Sequence, residues 1–140
     1  MVALNFMAKF APAVEAGAKR QTIRRTARCK PGDALQLYTG QRTPVCRKIG
    51  EAVCWRVRPV TIAEDYLVLD GWRLPSGDAH QFARADGFVT LEKMRRFFRK
   101  QYGLPFEGFV IEWRPVEAMQ MHNDCDGGFC VACAGPQLES

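Results

Sequence analysis

The order of short strand-like segments constrains the fold of this chain more than any other feature. The segments "ALQLYTG", "GEAVCWRVRPV" and "GFVIEWRPV" alternate side chains with a period of two, which is typical of half-buried strands, and "VALNF" predicts a further short strand. Two or three helical segments occur, without regular alternation between strand and helix. The pattern therefore predicts an α+β fold, a small mixed and mostly antiparallel β-barrel with two or three short helices.

Glycines and capping residues mark the ends of the predicted elements. A short first helix is expected to end at Gly17, because glycine readily adopts the left-handed conformation that closes a helix. Asp70-Gly71 joins two apolar runs and predicts a tight hairpin. Ser76 and Thr90 are suited to begin two later helices, of which the second has a strongly basic polar face.

Length and charge limit the class of protein. A chain of 140 residues is long enough for one domain with its own core, and it contains no apolar run of the roughly 18 to 20 residues that span a bilayer. Its net charge of +5 favours an anionic partner. With no secretory signal and scattered cysteines, we expect a cytoplasmic protein with reduced thiols, monomeric by default and without a membrane partner.

The segment "GAKRQTIRR" contains the candidate catalytic groups. In a regular strand Lys19 and Thr22 would point to opposite faces, so they can meet only if a bend or bulge follows Gly17. A threonine hydroxyl becomes a nucleophile when a neighbouring base takes its proton. A lysine can be that base when burial lowers its pKa. The pair is therefore a candidate nucleophile and base.

The same segment is similar to a family signature. Its residues fit the pattern G-x-K-x-x-T-x-R, which resembles the motif of the ASCH domain, a family with a PUA-like β-barrel. The later segments follow in a matching order: a "KPGD" turn, the "LQLYTG" strand, "FARADGF" before a late helix, and a final strand ending in "VIEW". The resemblance implies an ASCH/PUA-like domain over residues 1–116, followed by a cysteine-rich tail over residues 117–140. Four residues carry the motif: Gly17, Lys19, Thr22 and Arg24.

The resemblance also implies an activity. Some small ASCH proteins that this chain resembles are amidohydrolases of N4-acetylcytidine that use a lysine, a threonine and a glutamate. Lys19 and Thr22 take two of these positions, and Asp86 takes the position of the carboxylate. Asp86 is one methylene shorter than glutamate, and a displacement of about 1 Å lowers a rate by roughly a hundredfold. The implied function is hydrolysis of an acylated nucleobase or nucleoside by Lys19, Thr22 and Asp86, with no cofactor required.

Substrate contacts are predicted from the charged and aromatic residues around the motif. Arg24 is expected to bind the substrate or to stabilise an oxyanion. Arg20, Arg25 and Tyr38 are further candidates for contacts with a nucleoside or RNA. Two alternatives remain open: a non-catalytic RNA-binding ASCH module, and a basic edge strand whose charges only prevent strand pairing.

The tail contains a separate candidate site. Its spacing is H-x2-C-x4-C-x2-C, and four such ligands can close a tetrahedral zinc site. The alternative is a tail with free thiols. Structural zinc is thus a hypothesis for four residues: His122, Cys125, Cys130 and Cys133.

Overall fold

The structure is a computed structural model that describes residues 2–116. Within these residues, seven strands and three helices follow one another along the chain. In order they are β1 (Val2–Phe6), α1 (Ala11–Glu15), β2 (Gln21–Arg24), β3 (Ala34–Thr39), β4 (Arg47–Ile62), β5 (Leu67–Leu69), β6 (Trp72–Arg73), α2 (Ser76–Ala85), α3 (Leu91–Gln101) and β7 (Phe106–Pro115).

The strands form one mixed sheet that curls into a half-barrel. The main path runs β1-β3-β4-β5-β6, and β7 pairs with both β4 and β2. Strands β1 and β3 are parallel, whereas the other pairs are antiparallel. The predicted fold class, a small mixed barrel with two or three helices, is confirmed.

Strand β4 is longer than its sequence pattern predicts. It has 16 residues and pairs successively with β3, β7 and β5. A bulge lies between Cys54 and Arg56, where Cys54 pairs with Trp113 and Arg56 pairs with Glu112. Trp55 is therefore the extra residue, and its side chain is exposed.

Two hydrophobic cores lie on opposite faces of the sheet. One core packs α2 and α3 against β4, β5 and β7, and it includes Met94 and Val110. The other core packs α1, β1 and β3 against β4 and β7, and it includes Leu35 and Ile111. Because Val110 and Ile111 are consecutive residues of β7, that strand is buried on both faces.

The predicted features at Gly17, Asp70-Gly71 and Thr90 are present. Ser76 is the first residue of α2 but does not cap it, because the N-cap position is Pro75 and no side chain there makes a capping hydrogen bond. Gly17 follows α1 with a φ of +81°, and the Asp70-Gly71 turn has φ values of +53° and +84°. The hydroxyl of Thr90 accepts a hydrogen bond from the backbone N–H of Lys93 and caps α3. No helix within residues 2–116 has the length and apolar character needed to cross a membrane.

Candidate active site

The turn after α1 places Lys19. The backbone N–H groups of Ala18 and Lys19 both donate to the carbonyl of Ala13, at 2.9 and 3.0 Å, and close the helix end. Strand β2 begins only at Gln21. Lys19 therefore lies in the turn that Gly17 starts, where strand alternation does not apply, and this turn supplies the bend that the motif requires.

Lys19 makes a buried ion pair with Asp86. Its Nζ atom lies 3.3 Å from Asp86 Oδ1, and the two side chains are 3% and 5% exposed. The same amine donates to the backbone carbonyl of Asp86 at 2.5 Å. Asp86 is the C-cap residue of α2, where the helix dipole disfavours a carboxylate and favours a cation. Lys19 therefore offsets an otherwise unfavourable position for Asp86.

Burial shifts both members of this pair toward their neutral forms. Loss of solvent lowers the pKa of Lys19 below its ordinary value of 10.5, although the nearby Asp86 acts in the opposite direction. Loss of solvent also raises the pKa of Asp86 above its ordinary value of 3.8, against the opposing effects of Lys19 and Gln21. Lys19 can consequently act as a base at a lower pH than an exposed lysine.

Thr22 and Arg24 occupy the same face of β2. The buried hydroxyl of Thr22 accepts a hydrogen bond of 3.2 Å from Arg24 Nε. Arg24 Nη2 donates in turn to the backbone carbonyl of Asn5 at 2.7 Å, and the guanidinium lies 5.3 Å from the centroid of the Phe6 ring. Arg24 is therefore held against β1, and the Thr22 oxygen keeps its own proton available for donation.

These groups line one small cavity. Its volume is about 120 Å³. Lys19, Thr22, Arg24 and Asp86 all contribute to its wall. Within the described residues, the Lys19 amine donates to Asp86 and not to Thr22. The rest of the wall is largely aromatic and includes Phe6, Phe10, Phe88, Phe97, Phe98 and Tyr102.

Gly87 permits the close packing beside Asp86. Its φ is +100°, and a Cβ atom at this position would lie 3.0 Å from Phe10 Cδ1 and 3.3 Å from Lys19 Cδ. A larger residue would push the aromatic ring and the lysine stem away from Asp86. The glycine therefore acts both as the predicted helix stop and as a condition for the ion pair.

Three predicted contact residues lie outside this cavity. Arg20 Nε donates to the carbonyl of Gly17 at 3.0 Å, and the Tyr38 hydroxyl donates to Gln36 on β3 at 3.0 Å. Arg25 is exposed, and its guanidinium lies 5.3 Å from the ring centroid of Tyr102, a residue of the cavity wall. Arg25 thus lies beside the cavity, whereas Arg20 and Tyr38 belong to other surfaces.

Sequence reasoning missed several residues that shape the site. Gln21 is buried, and its Nε2 atom donates to Asp86 Oδ1 at 3.4 Å. Phe97 and Phe98 are adjacent in α3 and both line the cavity. Two consecutive residues of a helix point in different directions, so two adjacent aromatic residues indicate an apolar surface wider than one narrow stripe. The pair in the sequence could therefore have indicated this surface of α3.

The proposed zinc ligands belong to the tail. His122, Cys125, Cys130 and Cys133 lie outside the described residues. Between residues 2 and 116, no group of three or more histidine, cysteine, aspartate or glutamate side chains is arranged to hold a metal ion. The tail hypothesis therefore stays a prediction.

Comparison with known proteins identifies similar folds. An ASCH protein from Zymomonas mobilis superposes with a TM-score of 0.53 at 13% identity, covering 87% of this chain and 78% of that protein. A tyrosine-to-phenylalanine variant of the Zymomonas mobilis ASCH protein gives a TM-score of 0.50 at 14% identity, with coverages of 91% and 81%. No protein-family model and no curated protein matches the sequence. At these identities the likeness concerns the fold.

Proposed function

We propose that this chain, which has the fold of the ASCH domain, is an amidohydrolase that removes an acyl group from a nucleobase or nucleoside of the N4-acetylcytidine class. The observation that most strongly supports this proposal is the buried Lys19–Asp86 pair, which lines the same cavity as Thr22. Perturbed titratable groups beside a nucleophile in a cleft are typical of catalytic sites.

Asp86 orients the base in this proposal. A neutral lysine amine has two N–H bonds and one lone pair. The carbonyl and the carboxylate of Asp86 both lie within reach of the Lys19 amine and can accept the two N–H bonds. The lone pair then stays free to take the proton of Thr22. The aspartate contacts the lysine directly at 3.3 Å, so its short side chain reaches far enough for this role.

Thr22 is the nucleophile and Arg24 stabilises its charge. As Lys19 takes the hydroxyl proton, Thr22 Oγ1 forms a bond to the acyl carbon and the C–N bond to the base breaks. Lys19 returns the proton to the departing amine. Arg24 Nε already donates to Thr22 Oγ1, so it stabilises negative charge that develops on this oxygen. Water activated by Lys19 then hydrolyses the threonine ester and releases the carboxylic acid.

The size and walls of the cavity support a small planar substrate. Its volume of about 120 Å³ is well below the roughly 300–1,000 Å³ of pockets that hold drug-sized ligands. That space suits a single planar ring or a small acyl group. Aromatic side chains such as Phe10 and Phe88 can pack on the faces of a base.

Replacement of Thr22 by valine tests the proposal. The change keeps the branched shape and removes the oxygen, so we expect turnover of N4-acetylcytidine to fall by about a thousandfold, as for loss of a nucleophile. Thr22→Ser, which keeps the hydroxyl, should retain measurable turnover. Release of cytidine followed by liquid chromatography gives the rate.

The control is Thr61→Val on β4, because Thr61 lies outside the cavity wall. This variant should turn over N4-acetylcytidine at the rate of the parent. Equal turnover by the parent and Thr22→Val would contradict the proposal.

The pH dependence of the reaction is a separate prediction. The kcat/KM of the parent should rise with pH and level off below the ordinary lysine value of 10.5, because neutral Lys19 is the active form.

A second candidate function is RNA binding without catalysis. One observation favours it: a depression of about 230 Å³ adjoins the site at Arg24 and is lined by Arg25, Thr26 and Arg28. Such a basic surface suits contacts with phosphate groups. RNA affinity without hydrolysis of acetylated cytidine would favour this second function.

A further inference from the structure

Gln21 is a buried polar residue beside the site that the proposed reaction does not use. It is the first residue of β2, and its backbone lies opposite Glu112 of β7 in the strand register. Its side-chain Nε2 atom donates to Asp86 Oδ1 at 3.4 Å. The same carboxylate oxygen lies 3.3 Å from Lys19 Nζ. A single oxygen atom therefore connects the Gln21 amide to the candidate base.

Gln21 also separates Asp86 from an outer depression. Asp86 lines the site cavity, whereas Gln21 lines a separate depression of about 330 Å³ together with Ala85 and Trp55. The Gln21 amide contacts Asp86, so this side chain stands between the carboxylate and the depression. Both side chains are less than 10% exposed, at 7% for Gln21 and 4% for Asp86. Gln21 thus helps to keep water away from the buried pair.

A neutral hydrogen-bond donor suits this position. The ionisable groups around the contact lie on two sides: Lys19, Arg24 and Tyr102 line the cavity, and Arg20, Glu112 and Arg114 line the depression. A further cation beside Asp86 would repel protonated Lys19, and a further carboxylate would compete with Asp86 for the Lys19 amine. The Gln21 amide adds a hydrogen bond to Asp86 without changing the net charge of the pair.

We propose that Gln21 is a positioning residue that holds the Asp86 carboxylate against the Lys19 amine. This inference rests on the proposed function. With Oδ1 held by Gln21, the carboxylate and the backbone carbonyl of Asp86 stay placed to accept the two N–H bonds of neutral Lys19. The lone pair of the amine is then directed away from Asp86 and toward the cavity. Without Gln21 the carboxylate can rotate, and a displacement of about 1 Å lowers a rate by roughly a hundredfold.

The first test measures the titration of Asp86 in the full chain. Gln21→Met keeps the length of the side chain and removes its donor. This change should raise the pKa of Asp86 above that in the parent, because the Gln21 hydrogen bond favours the ionised carboxylate. NMR of the Asp86 carboxyl carbon, assigned with Asp86→Asn, gives the midpoint. Gln36→Met on β3 is the matched control and should leave this midpoint unchanged.

Turnover of N4-acetylcytidine is the second readout. Gln21 contacts Asp86 rather than the cavity, so Gln21→Met should lower kcat about tenfold and leave KM within about twofold of the parent. The rise of kcat/KM with pH should move to higher pH, because the pair then keeps its last proton more strongly. A merely structural loss would lower the amount of folded enzyme without moving this profile. Gln21→Asn keeps the amide but is one methylene too short, so it should behave like Gln21→Met and serves if methionine prevents folding.

The outcomes for Gln21 and for catalysis are distinct. An Asp86 midpoint in Gln21→Met equal to that of the parent would overturn the inference, whatever the rate of hydrolysis. If the parent hydrolyses N4-acetylcytidine and both Gln21 variants keep its kcat and pH profile, the inference also fails while the proposed function stands. If the midpoint rises but the parent hydrolyses no N4-acetylcytidine, the proposed catalysis fails, and the support of Asp86 by Gln21 stands.

Discussion

Replacement of Lys19 by methionine is expected to lower the free energy of unfolding by about 3–5 kcal/mol at pH 8. The reason is that Asp86 stays buried and loses its cation, while methionine fills a similar volume. Urea denaturation followed by tryptophan fluorescence measures the change. Lys30→Met, at a side chain that is 83% exposed, is the control and should stay within about 0.5 kcal/mol of the parent.

The stability lost in Lys19→Met should be larger at high pH than at low pH. Burial raises the pKa of Asp86, and loss of Lys19 removes an opposing influence. A group whose pKa is higher in the folded state than in the unfolded state contributes stability at pH values below its unfolded-state pKa. This contribution is lost as the pH rises through the folded-state pKa. Lys19→Met should therefore be closer to the parent at pH 5 than at pH 8.

A double variant tests the cause of this loss. Replacement of the pair by apolar residues removes both charges, so Lys19→Met with Asp86→Leu should recover most of the stability lost at pH 8. If Lys19→Met is as stable as the parent at pH 8, or if the double variant is less stable than either single variant, the account of the pair is wrong.

Gly108→Ala is expected to lower the free energy of unfolding by about 1–3 kcal/mol, as overpacking does. A Cβ atom at this buried position of β7 would lie 2.4 Å from the backbone carbonyl oxygen of Arg24 and 2.9 Å from the Phe106 ring. The oxygen can move away only if the end of β2 shifts, and β2 also carries Thr22. We therefore expect hydrolysis to weaken together with stability.

Gly77→Ala is the matched control for this change. Gly77 lies in α2, and an added Cβ atom meets no atom within 4 Å. Alanine there should leave stability equal or raise it, because glycine is the poorer helix former. Thermal denaturation followed by circular dichroism compares the two variants. A Gly108→Ala protein that melts at the temperature of the parent would show that β2 adapts without cost.

Local elements of this fold were predictable from the sequence because their signals are local. The strand β1 was predicted with its observed bounds, Val2–Phe6. Gly17, the Asp70-Gly71 turn and the Thr90 cap each depend on one or two residues whose backbone preferences are strong. The order of these elements then limited the fold to a small mixed barrel.

Pairing between distant strands was not predictable in this way. No local pattern shows that β7 pairs with both β2 and β4, or that the bulge at Trp55 interrupts β4. The same limit applies to the site. Its aromatic wall comes from separate elements, and the contact of Gln21 with Asp86 spans 65 residues of sequence. Family resemblance indicated Lys19, Thr22 and Asp86, and the three-dimensional packing brings them together.

The burial of β7 on both faces also affects how the protein unfolds. Val110 packs in one core and Ile111 in the other, and β4 contributes to both. Loss of either core would expose one face of β7, and the remaining core still depends on β7 for its packing. Residues 2–116 should consequently unfold as one cooperative unit, without a stable partly folded intermediate. A destabilising change beside the site should therefore lower the stability of the whole sheet.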